Sequence, residues 1–138
     1  MWLTQRLVID RVRVTRFDQI IETAKREGVR AGWSNLCIEI WFDAYFGKMH
    51  SYVDSVVCCR EFANTFEKKT GQEYRKSSGQ IYALLNQYGE ETVAIQLAES
   101  RLSQYLKNGR DKPSQMCPCT TVHKLVREIR KKTGDKDI

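Results

Sequence analysis

Leu36-Cys37-Ile38-Glu39-Ile40-Trp41-Phe42-Asp43-Ala44-Tyr45-Phe46 is the stretch on which the fold class turns. Leu36, Ile38, Ile40, Phe42, Ala44 and Phe46 alternate with Cys37, Glu39, Trp41, Asp43 and Tyr45, and that period of two favours a strand. Gly47-Lys48 then turns the chain into a second strand at 49–53, closing a hairpin. The competing reading is a helix over 35–46 capped by Ser34. On the strand reading, Trp41 and Tyr45 lie on the face opposite Ile38 and Ile40. A second surface must then cover them, which makes both candidate interface residues for a homodimer or a protein partner.

Upstream, Val12 and Val14 alternate with Arg11 and Arg13, and β-branched content predicts a strand over 6–14. Thr15 and Asp18 open a helix over 16–27, with Phe17, Ile20, Ile21 and Ala24 at helical spacing and Gly28 as its stop. Downstream, 54–69 reads as a helix that ends at Thr70-Gly71. Arg75, Lys76, two serines and Gly79 make 72–79 the most linker-like segment. The predicted organisation is an α+β subdomain over 1–71 for dimerisation or partner binding, a linker over 72–79, and a helical subdomain over 80–138 that shares part of its core.

Beyond the linker the apolar period is helical throughout. Ile81, Leu84, Leu85 and Tyr88 form a short helix closed by Gly89, and Glu90-Glu91 suit the dipole at the start of the next one. Val93, Ala94, Leu97, Ala98, Leu102, Tyr105 and Leu106 continue to Asn108-Gly109. Segment 110–119 is a loop with both prolines, and a last helix over 122–132 follows a Thr120 or Thr121 cap and ends at Gly134, before a frayed tail.

The net charge is +6, and residues 101–132 alone carry nine basic side chains against Asp111 and Glu128. Positive charge concentrated in one region is the electrostatic footprint of a polyanion-binding surface. The sequence has no run near the roughly 20 apolar residues of a spanning helix, so no membrane partner is expected. Five cysteines, two of them adjacent, make a poor disulfide framework and place the chain in a reducing, cytoplasmic compartment.

The basic region has the grammar of a helix-turn-helix. Leu102, Tyr105 and Leu106 pack inward, leaving Arg101, Ser103, Gln104, Lys107 and Asn108 outward, with Arg110 and Lys112 following. Arg and Gln match guanine and adenine edges, while Lys, Ser and Asn suit phosphates. The run Leu102-Ser103-Gln104-Tyr105-Leu106-Lys107-Asn108-Gly109-Arg110-Asp111-Lys112-Pro113-Ser114 resembles the recognition helix and following loop of lambda-repressor-like domains of the Cro and phage-repressor type, over about residues 80–134. The resemblance implies binding of double-stranded DNA, usually as a dimer. It requires a break between two crossing helices near Glu99-Ser100. One continuous helix over 90–108 is the competing reading.

Cys117-Pro118-Cys119 followed by His123 is a metal-ligand grouping of incomplete spacing, for which Cys37, Cys58 or Cys59 is the available fourth ligand. No metal or other cofactor is therefore expected. Two histidines and the absence of a phosphate loop, a His-Glu-x-x-His or a Gly-x-Ser-x-Gly motif argue against an enzyme. Glu39 and Asp43 share one face on either reading of their segment, and a single carboxylate pair of this kind is more often solvated than catalytic. The expected function is a small DNA-binding transcriptional regulator. The alternative is a protein-interaction module, such as a phage- or plasmid-type inhibitor of a host complex, with a basic C-terminal face. RNA binding through exposed aromatics is a third reading.

Overall fold

The computed structural model describes residues 6–133. The fold is α+β, with a three-stranded sheet covered by helices. Strand β1 (Arg6–Asp10) and β2 (Arg30–Asn35) are parallel neighbours, with Arg6 opposite Arg30 and Asp10 opposite Ser34. Parallel neighbours need a crossover, and helix α1 (Phe17–Arg26) supplies it. The short β3 (Cys119–Thr120) adds antiparallel to the other side of β2, so the order is β1-β2-β3. Around these lie α2 (Glu39–Ala44), α3 (Ser55–Thr70), α4 (Ile81–Tyr88), α5 (Glu91–Lys107) and α6 (Val122–Lys132). Gly134, the expected end of the last helix, and the 135–138 tail lie outside the described residues, as do residues 1–5.

Strand β1 ends at Asp10, where a single 3-10 turn over Arg11–Arg13 replaces the expected second half of the strand. The larger correction is at 36–46, where α2 stands in place of the hairpin and 49–53 holds no strand. The period-two pattern failed because this short helix is buried on nearly all sides. Ile40, Trp41, Ala44 and Tyr45 are buried as helical neighbours, and Glu39 and Asp43 are buried beside them. Trp41 and Tyr45 therefore do not face a partner. They meet edge to face at 5.2 Å inside the chain's own core, which removes the interface role expected of them.

The main core takes Cys37, Ile40, Tyr45, Phe62 and Phe66 from one side of segment 72–79 and Leu85, Ile95, Ala98 and Val122 from the other. Phe62 is its hub, fully buried and ringed by Phe42, Phe46, Phe66 and Tyr74 at 4.8 to 6.4 Å between centroids. A second cluster of Ile9, Phe17, Trp33, Met116 and Cys119 ties α1 to the sheet and to the segment before β3. Strand β2 is buried from Gly32 to Asn35, and at Gly32 the backbone passes so close to α6 that an added Cβ would lie 2.8 Å from Leu125 Cδ1.

Two polar networks join the halves. Tyr45 Oη donates to Glu91 Oε2 at 2.6 Å, and Arg130 Nη1 holds Glu91 Oε1 at 2.9 Å. The Ser114 backbone N–H and hydroxyl both donate to the Asp18 carboxylate, at 2.8 and 2.5 Å, docking the 110–115 loop onto α1. No described helix is long and apolar enough to cross a membrane.

Candidate nucleic-acid interface and a buried acid-thiol cluster

Helix α5 runs unbroken from Glu91 to Lys107 through Glu99-Ser100. The break that a helix-turn-helix needs at that point is absent. Ala94, Ile95 and Ala98 sit against the core, and intrahelical bonding continues without a turn residue to stop it. Arg101, expected among the outward residues, is half-buried and donates to the Met49 carbonyl at 3.1 Å. Leu102 and Tyr105 pack inward against the second cluster, as their spacing predicts. Ser103, Gln104, Lys107 and Asn108 are exposed on the last turns of α5. Arg110 follows in the loop, its guanidinium 5.8 Å from the Tyr105 ring centroid.

What the fold builds instead is an open groove of about 1140 Å³ between α1, the 111–114 loop and the start of α6. Arg16 and Lys25 line it from the N-terminal half, and Lys112 and Lys124 from the C-terminal half. All four side chains are exposed. Phe17, Trp33, Leu102 and Met116 are among its apolar lining, and Asp18, Glu22 and Asp111 are its acidic members. Asp18 is already occupied by Ser114, and Arg11 bridges the wall by donating to the Ser114 carbonyl at 3.0 Å. Of the residues singled out in the sequence as DNA-binding, only Lys112 lines this groove. The contributions of Arg16 and Lys25 were invisible in the sequence because they are far along the chain from Lys112 and are brought to it by the tertiary fold, in which Ser114 bonds Asp18 and Arg11.

A second site lies at the carboxyl ends of the parallel strands, the position where open α/β sheets commonly bind ligands. Asp10 closes β1, and Glu39 begins α2 just beyond the end of β2. Lys76 Nζ lies 3.8 Å from Asp10 Oδ2 and 3.3 Å from Glu39. Tyr74 Oη donates to Glu39 Oε2 at 2.7 Å. Both carboxylates are buried, Glu39 completely. Burial opposes ionisation of Glu39, but hydrogen bonds from Tyr74 and Cys37 and the Lys76 charge outweigh it and hold its pKa below the usual range. At Asp10 burial wins, and its pKa is pushed up despite the Ile38 backbone N–H and Lys76. Burial lowers the Lys76 pKa, but Glu39 and Asp10 together carry it above the ordinary value.

Two thiols complete this cluster. Cys37 Sγ, a Glu39 carboxylate oxygen and Cys59 Sγ all lie within 4.8 Å of one another, and Cys37 Sγ is 3.8 Å from Cys58 Sγ. A hydrogen bond to Cys58, then burial, raises the Cys37 thiol pKa. Burial, then the Glu39 charge, pushes Cys59 up to about 12. Among the described residues this is the one grouping of three potential metal ligands, and Cys117, Cys119 and His123 do not form one. Cys119 is buried in the second cluster, while His123 is buried with its Nδ1 lacking a hydrogen-bond partner among the described residues. Glu39 and Asp43 are four residues apart, as the helix reading requires, but their partners are separate: the Tyr52 hydroxyl donates to Asp43 Oδ2 at 3.2 Å, while Asp43 Oδ1 is buried without a hydrogen-bond partner among the described residues. The signal that would have found the cluster is a charged residue inside the most apolar stretch of the chain, since buried charges are paired.

No curated protein and no solved structure is a significant match to this chain. The family model for RloB-like proteins matches residues 7–129, which takes in both the groove and the acid-thiol cluster. The chain belongs to the RloB-like protein family.

Proposed function

We propose that this chain binds double-stranded DNA by gripping phosphates in the groove between α1 and the 111–114 loop. The carrying observation is the convergence of Arg16, Lys25, Lys112 and Lys124 from both ends of the sequence on one open surface. Exposed cations around a groove release counterions when they neutralise phosphates, and that term is independent of sequence. The unbroken α5 offers no recognition helix, so this reading favours backbone binding over operator reading. Gln104 and Ser103 then contribute little base discrimination, and a role as a transcriptional regulator depends on selectivity from elsewhere.

The test is selection from random duplexes alongside direct binding to unrelated ones. Comparable binding to all duplexes, lost on replacing the four groove cations by Glu, supports the proposal. A sharply preferred site that depends on Gln104 supports the regulator reading instead.

A protein-interaction role is favoured by a separate observation. Strand β1 is an edge of the sheet, Leu7 and Val8 there are 44% and 50% exposed, and Val12 in the turn that follows is 51% exposed. An apolar open edge is a template for pairing with another chain. Failure of every nucleic acid to bind, with retention of the fold, makes this the better account.

A further inference from the structure

We propose that Cys37, Glu39 and Cys59 bind a zinc ion in the cleft beyond the carboxyl ends of β1 and β2. The inference stands apart from nucleic-acid binding, because none of the three residues lines the groove. Two thiolates and a carboxylate suit zinc, which takes sulfur at about 2.3 Å and carboxylate oxygen at about 2.0–2.2 Å. On a tetrahedron of that size two sulfurs stand about 3.8 Å apart and a sulfur and an oxygen about 3.5 Å apart. The three donor atoms already lie within 4.8 Å of one another, so small side-chain adjustments close the site.

Charge balance is the second argument. Zinc with two thiolates and one carboxylate carries a net charge of −1. The Lys76 ammonium, 3.3 Å from Glu39 and 3.8 Å from Asp10, offsets part of the negative charge of the buried assembly. Without a cation the thiol forms are favoured, at Cys37 by the Cys58 hydrogen bond and burial, and at Cys59 by burial and the Glu39 charge. A dication reverses that local balance, since coordinating thiols are deprotonated. Binding is then Zn²⁺ plus two thiols and one carboxylate, giving the complex and two released protons, with no change of oxidation state.

The surroundings meet the remaining requirements of a metal site. Tyr74 holds the Glu39 carboxylate from outside, the arrangement that orients a ligating group. Cys59 is only half-buried and supplies a path of entry. Cys58 Sγ, 3.8 Å from Cys37 Sγ, lies outside the 4.8 Å grouping, which leaves the fourth position to water. The bland alternative is a hydrogen-bonded thiol cluster with no ligand. It accounts for the contacts but gives no reason for a cysteine pair to share a carboxylate and a lysine at the end of a parallel sheet.

The experiment uses the full chain, reduced and freed of metal with a chelator, then titrated with zinc against a chromogenic competitor and separately with cobalt. The expected result is one equivalent of zinc, about two protons released per ion, and a thiolate-to-cobalt charge-transfer band. Cys59→Ala loses stoichiometric binding and the band, while Cys117→Ala keeps both. Circular dichroism confirms that each variant is folded, and the half-buried position of Cys59 makes its truncation tolerable. If Cys59→Ala does not fold, Glu39→Gln and Lys76→Met give a second reading, since both weaken zinc binding only if the metal sits here. Absence of the cobalt band in the folded parent chain overturns the proposal. So does dependence on Cys117, or a Cys37–Cys58 disulfide found by mass spectrometry that forms in preference to metal binding under reducing conditions.

Discussion

His123 makes this fold sensitive to mild acid in a way that a single substitution isolates. The side chain is almost completely buried near the start of α6, and its Nδ1 finds no hydrogen-bond partner among the described residues. Burial, reinforced by the neighbouring Lys124 charge, lowers its pKa from 6.5 to about 4. The unfolded chain therefore takes up a proton first as the pH falls, and the folded state does not follow until about pH 4. The stability contributed by the neutral imidazole is fully present above pH 6.5 and is lost as the pH drops toward 4. Linkage gives a loss of about 2 kcal/mol at about pH 5 and about 3 kcal/mol once both states are protonated. Asp10 and Asp43, whose pKa values are raised by burial, act in the opposite sense, because the folded state binds their protons more tightly. Comparison of the parent chain with His123→Leu removes that background. Urea unfolding at about pH 7.5 and about pH 5 should show the parent losing about 2 kcal/mol more than the variant, whatever the variant's offset at the higher pH. Equal losses in the two proteins would rule out a buried neutral His123 as the source, as would an NMR titration placing its native pKa above about 6.

Phe62→Ala removes the hub of the aromatic cluster and should cost about 3–5 kcal/mol, read as a shift of the denaturant midpoint at constant slope. Gly32→Ala forces a methyl group to within 2.8 Å of Leu125 Cδ1 and 3.1 Å of Val122 Cα. It should destabilise by about 1–3 kcal/mol, and a combined Gly32→Ala, Leu125→Ala variant should recover part of that in thermal unfolding. Asp54 accepts from the Val57 N–H at 2.9 Å as the cap of α3, so Asp54→Ala should cost about 1 kcal/mol in the same assay.

The helices with one clean apolar stripe were legible in the sequence. Helix α1 and helix α6 have opposed polar and apolar faces, and α3 and α4 carry clear stop signals at Gly71 and Gly89. Gly71 adopts a left-handed conformation with φ of 74°, as an expected C-terminal stop should. Legibility failed where an element is buried on all sides, because periodicity then carries no direction. Helix α2 alternates well enough to imitate a strand, and β2, Arg-Ala-Gly-Trp-Ser-Asn, lacks any strand signature although it is the centre of the sheet. At Gly32 the helix α6 approaches too closely for a side chain. Ser34 and Thr120 share a buried hydroxyl contact of 2.9 Å. The acid-thiol cluster was half legible, since Glu39 stands out as a carboxylate in an apolar run. Its true partners, Tyr74 and Lys76, sit in the segment that reads as a linker. Polar composition marks that segment as loop, and nothing local indicates that two of its side chains turn inward to satisfy a buried charge.

The salt dependence of duplex binding reports whether the groove cations meet phosphates. Log affinity for a random duplex should fall linearly with log salt concentration. Replacing Lys25 and Lys112 together by Ala should reduce the slope by about two units, about one for each phosphate that is no longer neutralised. Lys68, exposed on α3 and away from the groove lining, serves as the control, and its replacement should leave the slope unchanged. A slope unaffected by removing Lys25 and Lys112, or reduced equally by removing Lys68, would contradict the assignment of the groove as the DNA-binding surface.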